Sequence, residues 1–184
     1  HELNIGFFSR VLRQRPWVRM KAAASLDGRT ALPDGTSQWI TGEAARRDGH
    51  AWRRRAGALL TGIGTVQHDD PQLDVRLVAT HHQPLRVVVD SDFSMSPRAR
   101  MLQTPGRVLV VGACDRPEQM AALRAAGAEG LLLPDAGAAH RRVDLPALID
   151  RLSADGVNEL HVEAGATLNA AMLGTGLVDE LLLY

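Results

Sequence analysis

The chain has 184 residues, 45% hydrophobic and 23% charged, with 21 basic side chains against 21 acidic ones. This is the size and composition of one globular domain with a buried core, and zero formal net charge leaves no global field for nucleic acid or an anionic membrane, so any basic site must be local. A single cysteine, Cys114, excludes an internal disulfide framework and a multi-cysteine zinc site, and no apolar run approaches the roughly 20 residues of a membrane span.

Residues 1–15, with Phe7, Phe8, Arg10, Arg13 and Arg15, read as a short helix or linker arm ahead of a domain spanning 16–184. A strand over Trp17–Ala24 places Val18, Met20 and Ala22 on one face and Arg19, Lys21 and Ala23 on the other. Lys21 therefore leaves the apolar layer beside alanines that give it space; an exposed strand lysine and a ligand-facing lysine both remain open. Asp27-Gly28 and Asp34-Gly35 are turn signals. A helix follows over about 42–56, with Thr41 or Gly42 as N-cap and Glu43 in its first turn. It carries Arg46, Arg47, Arg53, Arg54 and Arg55, either a solvated face or a phosphate clamp.

The strand Ala58–Thr61 runs into Gly62-Ile63-Gly64-Thr65. This is not the dinucleotide fingerprint, because the third glycine would fall at Gln67, and no Gly-Lys-Ser/Thr of a P-loop is present. Asp69-Asp70-Pro71 suits a turn, a metal or sugar hydroxyls. Leu85–Asp90 is a β-branched strand ending at Ser91. A loop over 92–106 precedes a regular alternation: strand 107–111, helix 117–126, strand 131–133, a helix opened by Asp144 and Pro146, strand 157–163, helix 166–174 and strand 178–184. Such alternation predicts an α/β fold with a mainly parallel central sheet flanked by helices.

The glycine turn after Thr61 has a counterpart in Glu163-Ala164-Gly165-Ala166-Thr167-Leu168. Glycine lets backbone N–H groups approach a ligand, and a helix start favours an anion. Either turn alone reads equally well as an ordinary strand-to-helix connection. Together they suggest one long ligand carrying several phosphates.

Four motifs, in order, resemble one family. They are Lys21 with Ala23-Ala24-Ser25-Leu26-Asp27-Gly28-Arg29-Thr30-Ala31; Ser37-Gln38-Trp39-Ile40-Thr41; Gly62-Ile63-Gly64-Thr65-Val66 with Asp69-Asp70-Pro71; and Val162-Glu163-Ala164-Gly165-Ala166-Thr167-Leu168. The resemblance is to the reductase domain of the bifunctional riboflavin biosynthesis deaminase–reductases, the RibD C-terminal type. It implies a dihydrofolate reductase-like fold. It also implies NADPH-dependent reduction of 5-amino-6-(5-phosphoribosylamino)uracil to the phosphoribitylamino product.

By the same resemblance, Ala23, Trp39, Thr65, Ser91 and the run Gly165, Ala166, Thr167, Leu168, Asn169, Ala170 and Ala171 line the cofactor. Ser37, Arg53, Leu73, Arg76 and Glu163 contact the substrate, the arginines suiting its phosphate, and Asp69 lies between the two ligands. Lys21, Glu163 and Asp69 are the catalytic candidates, with Lys21 or Glu163 handling a proton at the sugar. Asp27 and Asp70 are read as structural, and Arg54 and Arg55 as solvated.

The start, Glu2-Leu3-Asn4-Ile5-Gly6-Phe7-Phe8, looks like the tail of a preceding deaminase domain. The family's deaminase zinc motif needs Pro-Cys-x-x-Cys, which one cysteine cannot supply. No metal site is expected here. Both ends read as cut, with C-terminal strands expected beyond Tyr184. A homodimer in the cytoplasm, with no nucleic-acid or membrane partner, completes the expectation. The alternatives are a reductase of this fold acting on a pterin or another ribosylamine, and a non-catalytic nucleotide-binding module.

Overall fold

The computed structural model describes residues 2–30, 40–138 and 141–184. Ser37 and Trp39 lie outside the described residues. After a short 3-10 turn come α1 (Ile5–Arg13), β1 (Trp17–Ala22), α2 (Glu43–Arg55), β2 (Ala58–Gly62), α3 (Ile63–Asp69) and β3 (Leu85–Val89). They are followed by β4 (Val108–Gly112), α4 (Pro117–Ala125), β5 (Glu129–Leu132), α5 (Leu145–Ala154), β6 (Glu159–Val162), α6 (Ala166–Gly174) and β7 (Glu180–Leu183). The strands form one sheet in the order β5-β4-β3-β2-β6-β1-β7, and every ladder in it is parallel.

Strand alternation decides what each face buries. One face presents Val18, Met20, Leu160, Val162, Leu60, Val87 and Val111 to Leu148, Ile149 and Leu152 of α5 and Met172 of α6. On the other face, Leu59, Val88, Val108 and Val110 pack under Val66, Phe93, Met101 and Leu123. The β6-β1-β7 part of that second face is polar. Arg19, buried on β1, pairs with Glu159 and Glu180, both at 2.9 Å.

Helix α2 covers this polar layer, so its arginines are not a uniformly solvated row. Arg55 is bound to Glu159 (2.9 and 2.8 Å), which corrects the expectation that it is solvated. Trp52 stacks over the Arg19 guanidinium at 4.2 Å. Arg54 does stay exposed. Arg53 reaches Glu163, just after β6, and Arg55 reaches Glu159 within it.

Capping chemistry sets the helix ends. Asp144 accepts from the Ala147 N–H at 2.9 Å, and Pro146 occupies the first turn of α5. The N-terminal segment is a docked helix rather than a free arm: Arg10 Nε donates to Asn158 Oδ1 (2.6 Å), and Arg13 and Arg15 both pair with Asp179. Most strands are shorter or shifted by one or two residues relative to the sequence pattern: β1 ends at Ala22, β5 starts at Glu129, β6 starts at Glu159 and β7 starts at Glu180. Buried Arg86 spends its guanidinium on carbonyls, including Met101 (2.7 Å) and Gly106 (2.7 Å), and so ties the segment after β3 to the sheet.

Gly112 ends β4 against the buried Phe93 ring. A Cβ there would lie 2.1 Å from a Phe93 ring carbon. Gly112→Ala is therefore expected to cost about 1–3 kcal/mol through overpacking. A thermal melt tests it, and an unchanged midpoint would refute the close approach.

Candidate functional site

A cavity of about 590 Å³ opens over the carboxyl ends of β3, β2 and β6. Open parallel sheets place their ligands there, because the turns entering the next helices supply free backbone groups. Gly62, Ile63, Gly64 and Thr65 form one wall and Gly165, Ala166, Thr167 and Leu168 the facing one. The two turns touch: a Cβ on Gly165 would sit 3.7 Å from Thr65 Oγ1, and one on Gly62 would sit 3.5 Å from a Leu168 methyl. Helix α6 starts at N-cap Gly165 with no side-chain cap, so its first N–H groups are not spent on a side chain. Helix α3 likewise lacks a side-chain cap, but has only seven residues.

Ser91, Ala170 and Ala171 also line this cavity, whereas Asn169, Ala23 and Asp69 do not. Asn169 instead donates from its side chain to the Ala164 carbonyl at 3.0 Å, which braces the second turn from behind. Asp69 is exposed at the end of α3. Asp70 adopts a left-handed conformation and accepts from the Arg100 N–H (2.9 Å), and Asp27 is bound by Ser25 and Arg29.

A second cluster lies beside the cavity, between β6 and α2. Arg53 forks onto Glu163 with Nε–Oε1 at 2.5 Å and Nη2–Oε2 at 2.8 Å, and its Nη1 donates to the Asp74 carbonyl at 3.0 Å. Burial alone would raise the Glu163 carboxyl. The charge and hydrogen bonds of Arg53, aided by His161, overcome that and hold it well below the ordinary value of 4.5. Glu163 is thus a fixed anion rather than a proton donor, and Arg53 is not a free phosphate clamp. Arg76 is half exposed and paired with Asp74. Leu73 is packed in the core, with φ +48°.

Continuing the β1–β6 ladder past Met20–Val162 sets Lys21 beside Glu163. Lys21 and Glu163 nevertheless form no ion pair among the described residues, and Glu163 is taken by Arg53. The Lys21 ammonium lies 5.8 Å from the centre of the Tyr184 ring and has no ion pair among the described residues. Tyr184 in turn donates its phenol to Asp48, and burial followed by that carboxylate pushes the phenol pKa up.

His50 was not visible as a site residue in the sequence. It is buried on α2, where Nδ1 accepts the Arg76 N–H at 3.2 Å and Nε2 stands 3.5 Å from Arg53 Nη1. Burial first, then the charges of Arg53 and Arg76, push it from 6.5 down to about 4. Between these values the unfolded chain binds a proton that the folded chain refuses. Stability from His50 is therefore complete above about 6.5 and is lost as pH falls toward 4. His50→Gln is expected to flatten the pH dependence of urea unfolding in that window by up to about 1.4 kcal/mol per pH unit. A slope equal to that of the parent would refute it. Arg142 and Val143, on the segment before α5, and Leu145, its first residue, line the cavity and also escaped the sequence reading.

A wholly parallel sheet with a cleft over its carboxyl ends, two glycine turns meeting across it and a buried arginine–carboxylate pair alongside defines an α/β ligand-binding domain of nucleotide-enzyme type. Among known proteins, the model of the RibD C-terminal domain family matches residues 16–184. The chain belongs to this family. It is 37% identical over 196 residues to the riboflavin biosynthesis protein RibD of Escherichia coli K12, covering 100% of this chain and 51% of that protein. It is 42% identical to the 2,5-diamino-6-ribosylamino-4(3H)-pyrimidinone 5′-phosphate reductase of Methanothermobacter thermautotrophicus, covering 91% of this chain and 76% of that one. A solved Acinetobacter baumannii RibD superposes with TM-score 0.83 at 39% identity, over 99% of this chain and 49% of the other. The chain thus spans about half the length of the RibD proteins it matches.

No described helix is long and apolar enough to cross a membrane. Among the described residues, no group of three or more His, Cys, Asp or Glu side chains could hold a metal ion.

Proposed function

We propose that this domain reduces 5-amino-6-(5-phosphoribosylamino)uracil to 5-amino-6-(5-phosphoribitylamino)uracil with NADPH, as part of a riboflavin-forming protein that also carries a deaminase domain. The observation that carries this reading is the meeting of two glycine turns, about a hundred residues apart in sequence, across one cavity beside the Arg53–Glu163 pair. The residues present fit a dinucleotide: the wall is small and apolar for a ring system, and the uncapped start of α6 offers N–H groups to a pyrophosphate. When bound, the nicotinamide supplies the hydride.

The chain's own residues do the remaining work. Reduction adds hydride to the sugar C1′, and the C1′–O4′ bond breaks with its electron pair going to oxygen, which takes a proton. Lys21, at the carboxyl end of β1 and without a carboxylate partner among the described residues, is the group assigned to deliver that proton. Glu163, held ionised, favours the positive charge that develops at C1′ as the ring opens. Arg53 positions Glu163, and the grip on the substrate phosphate falls to Arg76, whose guanidinium is exposed.

The test is the decay of NADPH absorbance on addition of the deaminated pyrimidine, with NADH run in parallel. Turnover with NADPH is expected. Binding of NADPH without oxidation would replace this reading with a non-catalytic nucleotide-binding module, and turnover of a pterin alone would reassign the substrate.

A further inference from the structure

Among the described residues lining the cavity, Arg142 carries its one charged side chain. Its backbone is pinned. The Arg142 carbonyl accepts from the Asp135 N–H at 2.8 Å, the Asp144 N–H donates to the Leu133 carbonyl at 2.9 Å, and Pro134 and Val143 form an antiparallel bridge between them. Val143 is buried in the core below. The guanidinium, by contrast, has no hydrogen-bond or ion-pair partner among the described residues. A fixed backbone thus holds an unspent cation at the rim of an otherwise uncharged cleft.

The strand order says which end of the cleft this is. The reacting groups Lys21 and Glu163 stand at β1 and β6. From there the cavity runs past the α6 turn after β6 and the Gly62–Thr65 turn after β2 to Val89 and Ser91 after β3. Arg142 lies beyond, on the segment that bridges back to the residues following β5. A dinucleotide with its nicotinamide near Lys21 and its pyrophosphate across α6 directs its adenosine toward β3 and Arg142. On that half of the molecule, a 2′-phosphate is the charge that separates NADPH from NADH. The planar guanidinium matches a phosphate with two parallel N–H donors.

We propose that Arg142 binds the adenosine 2′-phosphate and is the residue by which this domain selects NADPH over NADH. This rests on the cofactor reading above and adds to it a residue and a selectivity. The test is calorimetric binding of four probes, NADP⁺, NAD⁺, 2′,5′-ADP and 5′-ADP, to the parent, Arg142→Ala and Arg142→Lys proteins. Arg142→Ala is expected to weaken NADP⁺ and 2′,5′-ADP by about 10- to 100-fold and to leave NAD⁺ and 5′-ADP within about two-fold. Arg142→Lys should recover part of the loss, since the charge remains without the fork. Equal losses for all four probes would place Arg142 on the pyrophosphate and overturn the proposal, as would no loss at all. A parent protein that binds none of the four overturns the cofactor reading, and this inference with it.

Discussion

Replacing Lys21 by Met is expected to slow single-turnover reduction by about 10²- to 10⁴-fold, the range a positioned general acid contributes. Methionine keeps the length and apolar stem of the side chain and removes the ammonium. NADPH affinity should not change, because Lys21 is outside the cavity formed by the two glycine turns. The physical reason for choosing Lys21 over Glu163 is the state of Glu163. A carboxylate forked by Arg53 and held below its ordinary pKa has no proton to give. Lys21 is the neighbouring amine without a carboxylate partner among the described residues. Rapid-mixing kinetics with saturating cofactor decide the matter, and a rate equal to the parent's would remove Lys21 from the chemistry.

The Arg53–Glu163 pair should dominate stability at this end of the sheet. Arg53→Met is expected to cost about 3–5 kcal/mol near neutral pH, because it strands a buried carboxylate without its counter-charge. The sign of the pH dependence then reverses. In the parent, the lowered Glu163 pKa contributes stability that is present above about 4.5 and is lost as pH falls through the lower folded value. In the variant, uncompensated burial raises that carboxyl, so acidification neutralises it and narrows the deficit. Urea unfolding of both proteins at about pH 7 and pH 5 measures the gap. A deficit that is absent, or identical at both values, would show that the pair is not a coupled buried ion pair.

Much of this arrangement could be read along the chain. The 2-residue and 3.6-residue periods located the strands and most of the helices, and Asp144 with Pro146 marked the start of α5 as observed. The glycine turns were legible because glycine at a strand end is a local signal. Local chemistry misled for α2. Its arginines look like a solvated row, yet Arg53 and Arg55 reach across to Glu163 and Glu159, partners 110 and 104 residues distant in sequence. His50 carried no signal because its partner Arg76 comes from a loop 26 residues on, through a backbone N–H that any residue type could offer. Arg142 sits in a segment without periodicity, and only its place at the cavity rim distinguishes it from Arg141.

What the sequence determined by itself is the set of local commitments: which residues alternate into strands, which close turns, and therefore an α/β sheet with glycine turns at strand ends. These follow from sterics and apolar periodicity within a few residues. The order β5-β4-β3-β2-β6-β1-β7 belongs to the tertiary structure, because strand neighbours are chosen by burial of whole faces rather than by any short stretch. That order joins Gly62–Thr65 to Gly165–Leu168, sets Lys21 beside Glu163 and gives Glu163 to Arg53. Protonation state followed from the same step, since a carboxylate's pKa depends on which charges the fold brings within a few ångströms and on how much water it removes.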